Sequence, residues 1–455
     1  MPWLIRASVI RNDMSAQKGA SQFSFRAYAW AQFKKNRPAY MSLWVLGTLA
    51  IIAIMAPLLA NDQPLYANYH GHSLFPAFSF KNTYELTLED GKVENIQLDI
   101  AKWKQMDLQT VIWAPIAYSP SRSDFLNSDF RSPGGEQFFK DKDGQIVPMP
   151  LRFRHLLGTN KKGEDVLSGL IHASRISLTI GLLSMGIATL IGLIMGSLAG
   201  YFGDNTLVTT RGRFWTSVLG LVMAYYYGFM IRADALSDAI GTSGLSLLVQ
   251  LGLSLFLAVS IFYAFSKLGG LIGRLPFLNA RTNIPVDSIV SRMIEILISI
   301  PGMILILSIS AIAKPSIVNL MLIIGLTNWT GIARFTRAEL LRVRNLEYIQ
   351  AGKSLGFSES RIIFKHALPN AVAPALVAIA FGVAAAILIE SSLSFLGVGV
   401  PPDTVTWGSL LSTSRQNFGA WWLVIFPGFA IFMTVTVYNL LGEGVRDALD
   451  PRLKT

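Results

Sequence analysis

Apolar residues gather along this chain in eight runs, each long enough to cross a bilayer as a helix rising 1.5 Å per residue: Met41 to Ala60, Ile176 to Gly200, Phe214 to Ile231, Leu245 to Phe265, Ile289 to Ala313, Ile317 to Ala333, Ala371 to Leu396 and Trp421 to Leu441. The pattern predicts an all-α polytopic membrane protein of about eight helices. The polar stretches between the runs are very unequal. A flank covers residues 1–40, a long insert residues 61–174, a polar segment residues 337–370 and a short tail residues 442–455, while residues 175–441 hold the remaining seven runs. Segment 337–370 is too polar to cross. Leu341, Tyr348, Ala351 and Leu355 share one helical stripe there, with Arg342, Arg344, Glu347 and Lys353 off it, so a helix is expected from Ala338 to Leu355. Gly356 stops it, Ser358 can cap a second helix with Glu359 in its first turn, and Pro369 breaks or redirects that helix after Leu368.

The insert alternates with period two. Tyr84, Leu86 and Leu88, then Val93, Ile96, Leu98 and Ile100, flank Asp90-Gly91, which reads as a β-hairpin, and Asp143-Gly144 marks a second. Its 14 acidic and 12 basic residues describe a folded β-containing domain outside the membrane. Asp141, Asp143 and Gly144 lack the other ligands of a calcium loop, and His70, His72, His155 and His172 show no metal-ligand spacing, so surface histidines are expected.

Composition narrows the class. The chain has 455 residues, 52% apolar and 15% charged, and no cysteine, which excludes disulfides, thiolate metal sites and thiol nucleophiles. A net charge of +11 does not point to nucleic acid, because the basic residues sit in loops beside the apolar runs. With the N-terminus and segment 337–370 inside, the cytoplasmic segments carry 22 Lys or Arg against 3 in the short outer loops, the asymmetry the positive-inside rule favours. Residues 1–40, with seven basic residues and one acid, then read as a cytoplasmic flank whose second half forms a membrane-surface helix. Their acid-poor start also resembles an organellar transit peptide. Both termini are placed in the cytoplasm and the insert outside.

The run "YIQAGKSLGFSESRIIFKHALPN" resembles the coupling loop of the permease subunits of ABC importers, whose pattern is Glu-Ala-Ala, three residues, Gly, then about ten residues to Leu-Pro. Gln350-Ala351-Gly352 stands where that family has Glu-Ala-Ala, while Gly356, Leu368 and Pro369 keep the spacing. The form with His366 is that of the dipeptide and oligopeptide (C-type) branch. "HLLGTNKKGEDVLSGLIHASRISL", from His155 to Leu178, resembles the same branch, with Asn160 and Glu164 departing from its usual Asp and Arg. "LLANDQPLY" and "VIWAPIAYSP" resemble the subgroup for oligopeptides and microcin C. The resemblance implies the type I importer transmembrane fold, with ATPase coupling at Glu347, Gln350, Ala351, Gly352, Gly356, Leu368 and Pro369. It further implies a second permease subunit, two cytoplasmic ATPases, an extracytoplasmic peptide-binding protein and a bacterial inner-membrane location. No cofactor is implied, and the chain is not itself the enzyme. Residues 204–286 look like an added helix pair, since related permeases pass almost directly from "GYFG" to "DSIVSRMIEILISIPG". Two added crossings leave downstream orientation unchanged.

Other features are open to plainer readings. Gly352-Lys353-Ser354 looks like the end of a phosphate-binding loop, but position 347 is Glu where that motif needs Gly. Gly192, Gly196 and Gly200 form a small-residue face suited to close helix packing. Arg292 and Glu295 suit an interfacial ion pair or a substrate contact. Glu390, deep in a span, suits a translocation-pathway role or a hydrogen bond between helices. Pro301-Gly302 interrupts a span. The rival reading is an ion-gradient transporter, which needs polar ligands in broken helices near the bilayer centre, where Glu390 is the single candidate. A membrane enzyme would need converging His, Asp, Glu or Ser residues at one depth, and no such set is evident.

Overall fold

A computed structural model of the chain describes residues 25–79, 83–87, 93–98, 101–141, 144–242 and 244–449. The start of the basic flank (1–24), the Asp90-Gly91 turn, Asp143 and the end of the tail (450–455) lie outside the described residues. Helix α1 (Phe25–Lys35) gives way to α2 (Arg37–Ile54) at Asn36, whose side chain accepts from the Ala39 amide while Pro38 occupies the first turn. After α3 (Ala56–Leu59) the insert begins. Strands β1 (Tyr66–Tyr69) and β2 (His72–Leu74) turn through His70 and Gly71, both at positive φ as a tight hairpin requires. Strand β3 (Thr83–Thr87) pairs antiparallel with β4 (Val93–Gln97), Tyr84 opposite Ile96. Strand β5 (Thr110–Ile112) joins β1 to give the order β2-β1-β5, and β6 (Phe138–Lys140) pairs with β7 (Ile146–Pro148). The strands of both expected hairpins therefore pair. The alternation buries Leu86 and Ile96 with Leu74, Leu98 and Trp103.

The second expected span is a helix of 37 residues, α4 (Val166–Phe202), which starts ten residues before Ile176 because the Asp165 carboxylate accepts from the Ser168 amide at 2.6 Å and caps it. Strand β8 (Val208–Thr210) leads into the helical section expected as an added pair: α5 (Arg211–Tyr225) with a π turn through Met230, α6 (Ala233–Thr242), α7 (Gly244–Ile272), then β9 (Arg281–Asn283) paired with β8. The link between the two apolar runs is thus helical, bent by 44° from the first. The span expected over 289–313 is corrected to two helices, α8 (Val286–Ser299) and α9 (Gly302–Ile312), crossing at 82°. Pro301 is the cause, since it lacks an amide and holds Ile300 extended at φ −95°, ψ 128°.

Helix α10 (Ile317–Val343) runs ten residues past Ala333, so the helix expected from Ala338 to Leu355 is corrected to the end of α10 and a separate α11 (Glu347–Ser354), with a break at Arg344–Leu346. Ser358 caps α12 (Glu359–Arg361) as expected, its hydroxyl accepting from the Arg361 amide. Pro369 does not end this helix. A π turn at Ile362–Ala367 realigns the chain so that Pro369 falls in the first turn of α13 (Leu368–Ala371), where its missing amide is harmless. Helices α14 (Ala373–Leu396), α15 (Trp407–Thr413) and α16 (Trp422–Leu449) complete the order. Among the described residues six straight helices, or eight if each bent pair counts as one, are long and apolar enough to cross.

Two units divide the chain. In the first (1–185, 310–320 and 376–455), Phe33 and Ala39 pack against Ala448, and Val166 against Ala420, Trp422 and Leu423. In the second (186–309 and 321–375), the glycine face of α4 lies directly on α10. A Cβ at Gly192 would come within 2.9 Å of the Trp329 carbonyl, at Gly196 within 2.6 Å of that of Ala333, and at Gly200 within 2.6 Å of that of Arg337. The same unit holds a paired Arg337 and Asp287, and Arg292 donates to Glu295 at 2.6 Å one turn away, the ion pair expected. Gly196→Leu is expected to lower the thermal midpoint of the solubilised subunit by overpacking worth about 1–3 kcal/mol or more, whereas Gly186→Leu, where an added Cβ meets nothing within 4 Å, leaves it unchanged. Equal midpoints for the two variants would contradict the packing.

Candidate functional site

Segment 337–370 folds back on the end of α4. Tyr201 lies beneath Leu340 and Val343 of α10, Ile349 of α11, and Ile362, Ile363, Ala367 and Ala371 of the second helical stretch, with Phe202, Phe357 and Leu368 at the edge. Its hydroxyl bonds the Glu359 carboxylate, Lys353 stands 5.0 Å over its ring, and Arg344 donates to the carbonyls of Gly200 and Tyr201. These tie the loop to α4 through the last, otherwise unpaired carbonyls of that helix. Gly356 has φ +75° with open space where a side chain would project, so conformation, not room, demands glycine there.

The expected coupling residues separate into two groups. Gly352 is buried and Leu368 half-buried on the core side, whereas Glu347, Gln350, Ala351, Gly356 and Pro369 are exposed. The apolar stripe read from the sequence is corrected: Tyr348 is 44% and Leu355 74% exposed, and the face turned to the core carries Ile349 and Gly352. The Gln350 side chain donates to the Arg344 carbonyl at 3.0 Å, bracing the break between α10 and α11. Sequence reasoning placed Glu359 in a helix first turn but missed its bond to Tyr201, 158 positions away.

Glu390, in the first unit, is fully buried. It accepts from Ser394 at 2.7 Å, Ser177 at 3.2 Å and Ser391 at 3.3 Å, and the Trp407 amide donates to Ser177 at 3.4 Å. The close seating behind this node is made by Gly181 against Ile387 and by Gly408 against the Ser391 backbone. One turn along, Ser394 lines a cavity of about 890 Å³ together with Lys161, Lys162, Asp403 and Thr413.

His155 is not the surface residue expected. It is fully buried, with Nδ1 2.9 Å from Asp165, Nε2 3.3 Å from Asp124 and its ring stacked 4.1 Å from Tyr118, over which Lys104 also sits. Burial alone would lower the His155 pKa, but the two carboxylates outweigh it and raise it; burial drives Lys104 down to about 7. Around this centre, Gly158 and Gly163 take positive φ, and a Cβ at Gly163 would fall 2.0 Å from the Asp124 carbonyl. Asn160 donates to Glu164 at 2.6 Å, so the two departures from the family's Asp and Arg answer each other. Asp124 and Asp165 lie 31 and 10 positions from His155, a separation that local spacing does not reveal.

Residues 268–455 match the model of the binding-protein-dependent transport system inner membrane component, and residues 24–76 that of the N-terminal transmembrane domain of oligopeptide transport permease C. A di/tripeptide transport system permease protein DppC of Pseudomonas aeruginosa is 30% identical over 302 residues, 66% of this chain and 73% of that protein. The chain belongs to the peptide permease family of ABC importers. The permease is also similar to the inner membrane ABC transporter permease protein YejE of Escherichia coli (27% identity, 93% of this chain and 96% of that one) and to the peptidoglycan transport system permease protein YejE of Agrobacterium fabrum (28% identity, 93% and 92%). The permease is thus a multi-pass inner-membrane protein with mostly helical architecture and a small β insert, and its homologues are permease subunits rather than catalysts.

Two outcomes follow from the buried ionisable groups. In Lys104→Met, His155 is the titrating group left at the centre. Its folded pKa lies above the ordinary 6.5, so its stabilisation is complete below that pH and fades as pH rises through the raised value. The insert of that variant is expected to melt at a lower temperature at about pH 9 than at about pH 6, a difference that adding His155→Gln removes. A slope that persists without His155 would contradict the assignment. For Glu390, Gln preserves the hydroxyl contacts and is expected to leave assembly near wild type, whereas Leu orphans three buried hydroxyls and reduces subunit level about tenfold, read by membrane immunoblot.

Proposed function

We propose that the permease is one of the two membrane subunits of an ATP-driven peptide importer, forming half of the translocation pathway, with segment 337–370 as the handle gripped by a cytoplasmic ATPase. The observation that carries this is the loop's division of labour. Its core is satisfied by Ile349, Ile362 and Tyr201 from within the chain, yet Tyr348 and Leu355, two large apolar side chains on a polar loop, remain exposed beside Glu347, Gln350 and Ala351. A surface of this kind suits burial by a partner.

The remaining parts follow from that reading. A second permease completes the pathway, two ATPase subunits supply hydrolysis, and an extracytoplasmic binding protein delivers peptide on the side of the insert. Both termini and the coupling loop lie in the cytoplasm. ATP-driven closure draws the loops together, and α10, unbroken for 27 residues or about 40 Å, carries the movement across the bilayer. Glu390 serves the pathway from behind, fixing α14 at the turn from which Ser394 faces the cavity. The peptide class follows the di/tripeptide and peptidoglycan systems named for the relatives.

Gly356→Val forces a β-branched residue into φ +75° without a steric collision, so the variant is expected to insert normally, co-purify with its ATPases and hydrolyse ATP, while peptide uptake falls about tenfold or more. Wild-type uptake by this variant would remove the loop from the coupling mechanism.

A further inference from the structure

The added helix pair carries a feature that neither packing nor peptide transport uses. Strands β8 and β9 pair as Thr209 opposite Thr282 and Thr210 opposite Arg281, the Arg211 and Gly212 amides donate to the carbonyls of Ala280 and Leu278, and a Cβ at Gly212 would touch Gly273 at 2.8 Å. This junction gathers Arg211, Arg213, Lys267, Arg274 and Arg281, all exposed. Among the described residues none of the five lies within ion-pair distance of a carboxylate; Arg213 donates to the Ser266 hydroxyl and Lys267 rests over the Tyr263 ring. The nearby acids are engaged elsewhere, Asp204 with Ser288 and Asp287 with Arg337. Beside the cations, Trp215, Leu275 and Phe277 are 66%, 56% and 93% exposed.

We propose that this junction binds the headgroups of anionic phospholipids in the cytoplasmic leaflet. Five uncompensated cations at one end of a membrane-embedded helix pair match a phosphate-bearing surface in charge. The adjoining apolar side chains match the boundary between headgroups and acyl chains, where aromatic residues settle. A soluble anion would account for the charge but leave Phe277 and Leu275 in water. The proposal rests on the cytoplasmic placement of this end, which it shares with the coupling loop: Asp204 and Asn205, just before β8, line one small cavity with Arg344, Gln350 and Lys353.

The test uses the full importer complex extracted from bilayers of equal parts phosphatidylglycerol and phosphatidylcholine, with retained lipid measured by mass spectrometry. The wild type is expected to retain phosphatidylglycerol at least about fivefold over phosphatidylcholine, with the preference shrinking at high salt. Neutralising all five cations to Gln should bring the ratio to parity; should that variant not assemble, Arg274→Gln with Arg281→Gln, outside the helices, should lower it by about half or more. An unchanged ratio in either variant overturns the site, as does a wild type without preference. Loss of a bound protein from the variant with its lipid ratio intact overturns it too, marking the patch as a protein surface. Arg281→Cys, the sole thiol in the chain, separates this from the topology: labelling by an impermeant maleimide from outside would overturn the cytoplasmic placement. Protection from outside combined with no lipid preference would overturn the lipid site alone.

Discussion

The arrangement of segment 337–370 depends on how closely two helix backbones approach. Between helices in lipid there is no water to expel, so contact must come from van der Waals packing and polar groups. Three glycines one turn apart on α4 allow the backbone carbonyls of α10, also one turn apart, to come within reach of the missing side chains. That closeness sets Tyr201 directly under Leu340 and Val343, and the loop then closes over it with Ile349 and Ile362. Larger residues on either face would push α10 away and open the core from which α11 is held.

Polar groups finish what packing begins. Arg344 answers the end carbonyls of α4, Glu359 answers the Tyr201 hydroxyl, and Gln350 answers the break after α10. Gln350 serves on both sides, since it also stands exposed beside Tyr348 and Leu355. The large apolar side chains Tyr348 and Leu355 take no part in holding the loop to Tyr201. Buried ionisable groups elsewhere follow the same economy of partners: Glu390 is surrounded by serine hydroxyls, and His155 by two carboxylates and a ring. A buried ionic group without such partners is strongly destabilising.

What could be read from the residues alone divides along physical lines. Spans were legible because crossing a bilayer sets a length, and the hairpins because pleating sets a period of two. The Pro301 break was legible as an interruption but not as an 82° turn, which depends on what packs against each half. Segment 337–370 was legible as a polar, helix-forming interruption, while the face it turns to the core was not. Tyr348 and Leu355 form a stripe at helical spacing, yet spacing does not tell a face turned to the chain's own core from one left for another protein. His155 was misread because both of its partners come from other turns of the insert. Tyr201 follows directly after an apolar run in sequence and belongs to segment 337–370 by contact.

The helix pair between Asp204 and Val286 is closed at its base. Val208 pairs with Asn283 and Asp204 bonds Ser288, so the pair leaves and rejoins the chain at nearly one point. Its two long helices satisfy each other: Gly212 meets Gly273, Gly220 meets Phe265, Gly228 meets Ala258, and Arg232 donates to Ser254 at 3.0 Å. These contacts lie within the pair itself, and the paired strands β8 and β9 close its base. Away from its charged end the pair exposes apolar side chains, among them Leu219, Leu221 and Val222 of α5 and Leu255, Phe256 and Val259 of α7, a surface suited to lipid.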